Sequence, residues 1–276
     1  MIYLIGGRGR LGRAIRRARL FGDVNMVDRA IYADWWRCGS AEKVASFFKA
    51  AAPGSTVLVT AGVLDPGLSP AEHHRVNVEL PAQTMDGACK AGLRVVTFGT
   101  VMERLIEHPN AYIAAKAALG RLVGDRAAAG DPVVHLQVHT LYGGGEPASF
   151  MFLGQLCRAL REGHPFEMSP GLQLREYHHV DDDAAAVHAV LQGGQTGIVA
   201  LSHGEPCTLR DLATYVFGAV GRSELLRIGA LPEPPDDNYA TVLLRPHVLN
   251  SVLFRPALEG VADYVKTQIP KPQQQI

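Results

Sequence analysis

The feature that most constrains this chain is a glycine-spaced loop directly after its first apolar run. Residues 2–5 read Ile-Tyr-Leu-Ile, and Gly6, Gly9 and Gly12 follow at intervals of three residues. A buried strand that turns sharply, passes close to a pyrophosphate and opens a tightly packed helix requires glycines at these places. The N–H groups at the start of that helix would face the phosphates. The sequence predicts a dinucleotide-binding loop with contacts from Gly6, Arg8, Gly9, Arg10, Leu11 and Gly12.

Strand and helix patterns alternate through the first half of the chain. Short β-branched runs occur at 2–5, 24–27, 56–60, 94–98 and 133–138, with helical patterns between them near 10–19, 41–50, 71–91 and 112–129. Such alternation with right-handed crossovers gives a parallel sheet with helices on both faces. It also argues against an ordinary turn, the alternative interpretation of the glycine loop. The predicted fold class is α/β, a Rossmann-type doubly wound parallel sheet.

The regular alternation of strand and helix patterns ends at a loop of three glycines, a glutamate and a proline at 143–147. We expect a dinucleotide-binding domain over residues 1–142, with some later segments returning to it, and a smaller, mixed, mainly substrate-binding lobe over 143–276. Ligands of such sheets bind beyond the carboxyl ends of the strands. The glutamine-rich tail at 270–276 is expected to fray.

Composition excludes several classes of partner. The chain has 276 residues, is 47% hydrophobic and carries no net charge, so a large core is expected and a general nucleic-acid surface is not. No apolar run reaches the roughly 18 residues of a membrane span, and a strand pattern begins at the N-terminus where a signal peptide would lie. We therefore expect a cytoplasmic protein. The four cysteines lack metal-ligand spacing and are expected to be free thiols.

A tyrosine and a lysine provide the candidate chemistry. Tyr112 and Lys116 are four residues apart on an alanine-rich helical pattern, so they share one helix face. An ammonium near a phenol lowers its pKa from about 10. That would make Tyr112 a proton donor to a carbonyl that receives hydride, or a base in the reverse direction. The alternative is an unrelated surface pair, which the upstream glycine loop makes less attractive.

These motifs resemble the extended short-chain dehydrogenases/reductases, the NAD-dependent epimerase/dehydratase family, most of which act on nucleotide sugars. The resemblance covers nearly the whole chain and includes Asn77, the 141–143 segment Leu-Tyr-Gly and the 175–182 segment Arg-Glu-Tyr-His-His-Val-Asp-Asp. It implies catalytic roles for Thr100, Tyr112 and Lys116 and cofactor contacts from the glycine loop, Asp28, Arg29, Ala61, Gly62, Tyr112 and Lys116.

The resemblance also implies substrate contacts. Arg175 matches the arginine that contacts a substrate diphosphate, and a guanidinium fork suits that group. His139 or Thr140, in the turn before Leu141, could approach the nicotinamide or the sugar, and Thr140 is the predicted substrate contact. Thr100 best matches the hydroxyl beside the catalytic tyrosine, although Gly99 competes for that register and a strand-end cap is the alternative role. The short interval between Thr100 and Tyr112 implies a trimmed loop.

Departures from the family pattern narrow the expected reaction. Dehydratases carry an acidic pair after the catalytic threonine, whereas this chain has Val101 and Met102. The nearest subgroup in appearance is the GDP-fucose synthase-like 4-keto sugar reductases. Their epimerising cysteine is replaced by Met102, and no histidine occurs near Phe150. We expect an NAD(P)H-dependent reductase of a nucleotide-linked 4-keto sugar, a GDP-sugar as a guess, without C3/C5 epimerisation.

Several alternatives stay open. A nucleotide-sugar 4-epimerase needs no further acid–base residue, and a catalytically silent NADP-binding regulatory protein is a second possibility. Asp28 would favour NAD, whereas Arg8 and Arg29 would favour NADP, which a reductive role slightly supports. The small side chains of the helix at 112–129 and of the helix before it imply a homodimer, the commonest assembly. Separate polar or capping roles, and no metal, are expected for His73, His74, His139, His178 and His179.

Overall fold

The chain divides into two units, each packed around its own core. The first unit contains Met1–Val138, Asp183–Leu201 and Arg245–Val252, and the second contains His139–Asp182, Ser202–Leu244 and residues from Leu253 onward. The computed structural model describes residues 1–269, and the predicted frayed tail at 270–276 lies outside the described residues. The first segment of the first unit ends at Val138, before the domain boundary expected after residue 142, because residues 140–142 pair within the second unit.

The strands, in chain order, are β1 (Ile2–Ile5), β2 (Val24–Met26), β3 (Thr56–Val59), β4 (Arg94–Thr100), β5 (Val133–Val138), β6 (Thr140–Tyr142), β7 (Phe166–Met168), β8 (Leu174–Arg175), β9 (Tyr177–His179), β10 (Gly197–Ala200), β11 (Cys207–Thr208) and β12 (Leu226–Ile228). The α-helices are α1 (Arg10–Arg17), α2 (Arg29–Tyr32), α3 (Ala41–Phe48), α4 (Pro70–His74), α5 (Leu80–Lys90), α6 (Met102–Leu105), α7 (Ala111–Ala128), α8 (Phe152–Glu162), α9 (Val180–Gln192), α10 (Leu209–Ala219) and α11 (Ala257–Gln268).

The first unit is built on a parallel sheet of six strands in the order β10-β5-β4-β3-β1-β2. The α/β prediction is confirmed, and the strand order reverses direction between β1 and β3 as a doubly wound sheet requires. Strands β3 and β5 are buried along almost their whole length, because helices cover both faces of a parallel sheet. The sixth strand, β10, escaped sequence analysis because its short run, Gly-Ile-Val-Ala, has no alternation and too little length.

The helix expected near 71–91 is interrupted. A capping box at Ser69 and Glu72 opens α4, a single π-helical turn spans Arg75–Glu79, and α5 continues from Leu80. π-turns inside helices occur frequently at functional sites, since they re-aim a side chain. Here the turn carries Asn77 into the interior, where it is fully buried.

The second unit packs α8, α10 and α11 around an apolar core of its own. Large buried members include Tyr142, Leu156, Phe166, Phe217 and Val261. Its strands form three short pairs, of which β6 with β9 and β7 with β12 are parallel and β8 with β11 is antiparallel. Within residues 1–269, no helix has the length and apolar character that crossing a bilayer would require.

Candidate active site

The glycine loop adopts the geometry that its spacing predicts. Gly6 has φ +84°, and a Cβ there would lie 2.6 Å from Ala61 Cα. The Gly9 N–H donates to the Gly6 carbonyl at 2.9 Å, and α1 starts at the next residue without a side-chain cap. A Cβ on Gly12 would lie 2.6 Å from Gly7 Cα. A tight loop with glycines at its points of closest approach, at the start of an uncapped helix, fits the approach of a phosphate and therefore a dinucleotide.

The neighbouring loop after β3 is fixed by the buried Asn77. Its amide clamps the backbone of Val63, with Oδ1 accepting from the N–H at 3.1 Å and Nδ2 donating to the carbonyl at 2.9 Å. Gly62 lies beside this clamp, and a Cβ there would be 3.3 Å from Lys116 Nζ. The structure thus brings the predicted cofactor residues Ala61 and Gly62 to the glycine loop on one side and to Lys116, the predicted catalytic lysine, on the other.

Asp28 follows β2 and has a local structural role. Its Oδ1 accepts from the Ala30 N–H at 2.8 Å, so it caps α2. Its Oδ2 lies 3.8 Å from Arg8 Nη2, and both side chains are well exposed. Arg29, the first residue of α2, is exposed as well. Carboxylate and guanidinium groups are therefore both available where an adenosine ribose is expected. The carboxylate would favour NAD, and the guanidinium groups would favour NADP.

Tyr112 and Lys116 lie one turn apart on α7, which Asn110 caps by accepting from the Ile113 N–H at 2.9 Å. Lys116 is buried and donates to the Phe98 carbonyl at 2.8 Å. Burial lowers the pKa of Lys116 to about 8, against an opposing effect of the Glu103 carboxylate. Burial, and secondly the charge of Glu103, raise the pKa of Tyr112 to about 12. The pKa of Tyr112 is therefore raised, opposite to the lowering expected from a neighbouring ammonium.

Thr100 ends β4, and strand alternation favours it over Gly99 as the catalytic hydroxyl. A Cβ on Gly99 would overlap the Glu103 carboxylate and the His135 ring, so position 99 faces into the protein. Residue 100 therefore points to the opposite side of the sheet, because successive side chains alternate. The Thr100 Oγ1 also accepts from the Met102 N–H at 3.3 Å, which is the capping role weighed from the sequence.

A buried chain of polar side chains next to Tyr112 and Lys116 escaped sequence analysis. Thr97 Oγ1 lies 2.7 Å from His135 Nδ1, and His135 Nε2 lies 3.2 Å from Glu103 Oε2. Glu103 also accepts from Gln137 Nε2 at 3.0 Å and from the Thr100 N–H at 2.6 Å. Burial opposes ionisation of Glu103, but these hydrogen bonds outweigh it and hold its pKa below the usual range. Glu103 is therefore a buried anion, within electrostatic reach of both members of the predicted pair.

The predicted substrate residues Thr140 and Arg175 belong to the second unit. The Thr140 N–H donates to the Glu176 carbonyl at 3.2 Å, which places the residue at the start of β6. Arg175 forms a two-pronged ion pair with Asp237, at 2.6 and 2.8 Å from Nη2. A diphosphate that used this guanidinium would compete with Asp237, a partner that the sequence did not indicate.

Two of the histidines that were expected to act separately instead surround Glu176, so that expectation is wrong for them. His178 Nε2 lies 3.0 Å and His139 Nε2 lies 3.5 Å from Glu176 Oε2. Burial opposes ionisation of Glu176, but the hydrogen bond from His178 and the neighbouring groups lower its pKa to about 2. His179 does take a capping role, with Nδ1 accepting from the Asp181 N–H at 3.2 Å.

The comparisons with known proteins agree with the observed fold. A family model described as the NAD dependent epimerase/dehydratase family matches residues 2–200. The solved structure of a dTDP-glucose 4,6-dehydratase from Streptomyces venezuelae with NAD is similar, with TM-score 0.76, 18% identity and coverage of 96% of this chain and 95% of that chain. A search of curated proteins gave no match.

Two further solved structures have other activities on the same fold. A dTDP-4-dehydrorhamnose reductase from Clostridium acetobutylicum is similar with TM-score 0.72, 19% identity and coverage of 96% of this chain and 98% of that chain. A UDP-glucose 4-epimerase from Thermus thermophilus with NAD is similar with TM-score 0.72, 18% identity and the same coverage of 96% and 98%. At these identities the similarity shows the fold, which several activities share.

Proposed function

The chain belongs to the NAD-dependent epimerase/dehydratase family, and from that premise we propose that it reduces the keto group of a nucleotide-linked 4-keto sugar with NAD(P)H. The observation that carries the proposal is the pair of half-buried Tyr112 and buried Lys116 on α7, with Lys116 bonded to β4 and next to Gly62 and its clamped loop. The printed activity of one similar structure, a dTDP-4-dehydrorhamnose reductase, supports this reaction class. We propose a GDP-sugar as the first substrate to test.

The protonation of Tyr112 favours reduction. A nicotinamide dinucleotide, when bound, supplies the hydride. A phenol whose pKa is raised to about 12 stays protonated at neutral pH, so it can donate a proton to the oxygen of the keto group. Oxidation of an alcohol would need the phenolate, which burial and the Glu103 carboxylate disfavour. Thr100 Oγ1 would hydrogen-bond the same substrate oxygen, and Lys116 would hold Tyr112 in place from the next turn of α7.

The side chains after Thr100 support a reductase without dehydration or C3/C5 epimerisation. Val101 is buried and Met102 is apolar, so neither supplies the acid–base pair that dehydration needs. Glu103, the nearest acidic residue, accepts from the Thr100 backbone and from His135 inside the protein. Those bonds aim its carboxylate away from the face of the sheet that residue 100 occupies.

We propose NADPH as the preferred cofactor, with NADH as the alternative. Arg8 and Arg29 are exposed beside the expected ribose position, and a charge-assisted contact to a 2′-phosphate contributes about 1.5 to 3 kcal/mol. Changing both residues to alanine should therefore weaken NADPH selectively, as measured by fluorescence titration. If the double variant keeps its NADPH affinity and NADH binds better throughout, Asp28 determines the preference instead.

A 4-epimerase is the second candidate, and a specific observation favours it. The chain covers nearly all of a UDP-glucose 4-epimerase with NAD, and the Thr100, Tyr112 and Lys116 roles serve either reaction. An epimerase retains its cofactor and converts a 4-hydroxy sugar to its C4 epimer without net redox change.

One screen separates the candidates. Purified protein is mixed with NADPH or NADH and a panel of GDP-, UDP- and dTDP-linked 4-keto sugars, and the loss of cofactor absorbance is followed. A reductase oxidises one equivalent of cofactor per ketone, with no inversion at C3 or C5. Tightly bound NAD and C4 interconversion without added cofactor would identify an epimerase. Cofactor binding without turnover of any sugar would favour a catalytically silent regulatory protein.

We also propose a cytoplasmic homodimer. All four cysteines are free thiols, which is typical of a reducing compartment. Helix α7 exposes Ala114 and Ala128, small residues on which a second copy could pack. A monomer mass in light scattering at micromolar concentration would contradict the dimer.

A further inference from the structure

In the second unit, three potential metal-ligand atoms lie close together in a buried position. His139 and His178 approach the same oxygen of Glu176, and the three donor atoms all lie within 4.8 Å of one another. The side chains are 7%, 0% and 1% exposed for His139, His178 and Glu176. None of these residues has a role in the proposed sugar reduction.

The distances match the edges of a tetrahedral site. Zinc binds imidazole nitrogen at about 2.0–2.1 Å and carboxylate oxygen at about 2.0–2.2 Å, so tetrahedral ligand atoms are about 3.3 Å apart. Glu176 Oε2 is 3.0 Å from His178 Nε2 and 3.5 Å from His139 Nε2. Both values bracket the tetrahedral edge, and a small movement of His139 would complete the set.

The hydrogen bonding of His139 points independently to a missing ligand. Its Nε2 is buried and has no hydrogen-bond partner within the described part of the chain, although it faces the Glu176 carboxylate. A buried polar nitrogen without a partner is unfavourable unless something binds it. A cation between His139 Nε2 and Glu176 Oε2 would satisfy both atoms.

The Glu176 carboxylate is oriented by hydrogen bonds from a neighbouring loop. Glu176 Oε1 accepts from the Ser202 hydroxyl and, at 3.2 Å, from the Gly204 N–H, while Oε2 accepts from the His203 N–H at 2.8 Å. These donors orient a ligating carboxylate as outer-shell partners do in metal sites. The remaining direction on Oε2 is the one shared with His178.

We propose that His139, Glu176 and His178 bind one zinc-like divalent transition-metal ion, with a water molecule in the fourth position. The ion takes the place of the hydrogen between His178 Nε2 and Glu176 Oε2, and the His178 ring then carries its hydrogen on Nδ1. Two imidazoles and one carboxylate suit zinc, whereas magnesium and calcium prefer oxygen ligands. The ion would cross-link the residue before β6 with β9 and the residue before it, a structural role.

The test uses the full-length wild-type chain, stripped with a chelator and then dialysed against buffered zinc. We expect one zinc per chain by elemental analysis and a rise in melting temperature with zinc that magnesium does not reproduce. X-ray absorption should show only nitrogen or oxygen at about 2.0–2.1 Å, since zinc on a cysteine would give sulfur at about 2.3 Å.

Variants locate the site. His139→Gln and His178→Gln should each weaken zinc binding by more than about 100-fold, beyond the range typical of an outer-shell change. His164→Gln, at an exposed histidine of the same unit, is the matched control and should bind zinc as the wild type does. Substoichiometric zinc on the folded wild type, sulfur ligation, or zinc retained by both His139→Gln and His178→Gln would overturn the proposal.

Discussion

Each unit buries one glutamate against one histidine, and the two pairs differ in what surrounds them. Glu103 and His135 are 3.2 Å apart in the first unit, and Glu176 and His178 are 3.0 Å apart in the second. Hydrogen bonds lower the pKa of both carboxylates despite burial. The neighbours of Glu103 are a phenol and an ammonium, whereas Glu176 is surrounded by further imidazoles.

The difference shows that two similar buried glutamate–histidine contacts are distinguished by the groups one step further out. Near Tyr112, burial and secondly the charge of Glu103 favour the protonated phenol, and the same charge opposes the lowering of the Lys116 pKa by burial, which suits proton donation to a substrate. Near His139, an oxygen of the Glu176 carboxylate lies close to imidazole nitrogens of His139 and His178, which suits a cation. The following predictions test whether the first pair really serves the proposed chemistry.

The largest effect is expected from Tyr112→Phe. Loss of a positioned proton donor should reduce turnover by roughly 10²- to 10⁴-fold while cofactor binding stays nearly intact. Turnover is measured with the best 4-keto sugar of the panel and binding by fluorescence titration. Tyr215→Phe, at an exposed tyrosine on α10, is the matched control. If Tyr112→Phe keeps wild-type turnover, Glu103 has no catalytic neighbour and the contrast between the two pairs disappears.

Gly99→Ala should destabilise the first unit by about 1–3 kcal/mol. The new Cβ would overlap the buried Glu103 carboxylate and lie 2.8 Å from His135 Cε1, so the pair must move. Urea denaturation midpoints measure the effect. Gly124→Ala on α7 is the control, because its Cβ would make an ordinary 3.5 Å contact with Ile198 and alanine favours a helix. Equal stability of the two variants would mean that the pair adapts freely.

Glu103→Gln should move the pH profile of reduction. The carboxylate raises the pKa of both Lys116 and Tyr112, so its removal lowers both values and shifts the alkaline fall of kcat/KM to lower pH. Glu107→Gln, at an exposed glutamate in the following loop, should leave the profile unchanged. An unmoved alkaline limb in Glu103→Gln would show that the charge does not reach the phenol.

The same variant should change stability in acid, which is the smallest of these effects. The folded pKa of Glu103 is depressed, so its ionised form stabilises the fold above the unfolded pKa of about 4.3. That contribution is lost as pH falls through the folded pKa. Wild type should therefore lose more stability than Glu103→Gln between neutral and acid pH in urea titrations, and parallel curves would exclude the linkage.

Sequence reasoning succeeded where local spacing dictates structure. The glycine loop and its helix follow from backbone geometry that three glycines permit, and the strand–helix alternation led to the α/β sheet. The Tyr112 and Lys116 spacing placed both on one face of α7, as an α-helix requires. The π-turn at Asn77 and the short strand β10 were missed, because neither leaves a periodic signal.

The buried pairs were missed for a different reason. Glu103 and His135 are 32 residues apart in sequence, and Glu176 needs His139 as well as His178, so only the fold brings them together. Gly99 in β4 and Gly120 in α7 make room for the Glu103 carboxylate. From sequence alone, a glycine in a strand such as Gly99 can equally indicate a bulge, a bend or a close backbone approach. Burial reversed the expected direction of the Tyr112 pKa shift, since desolvation is set by tertiary packing rather than by neighbours on one helix.

The most direct test of the central claim is the fate of the transferred hydrogen. Wild-type protein is incubated with a nucleotide-linked 4-keto sugar and NADPH or NADH deuterated at the transferring carbon, and the sugar product is analysed by NMR and mass spectrometry. A C4 reductase that uses Tyr112 as proton donor gives one deuterium at C4 for each cofactor oxidised and unlabelled C3 and C5. Tyr112→Phe should form much less of this product. A product without deuterium at C4, or C4 labelling that Tyr112→Phe does not reduce, would contradict this mechanism.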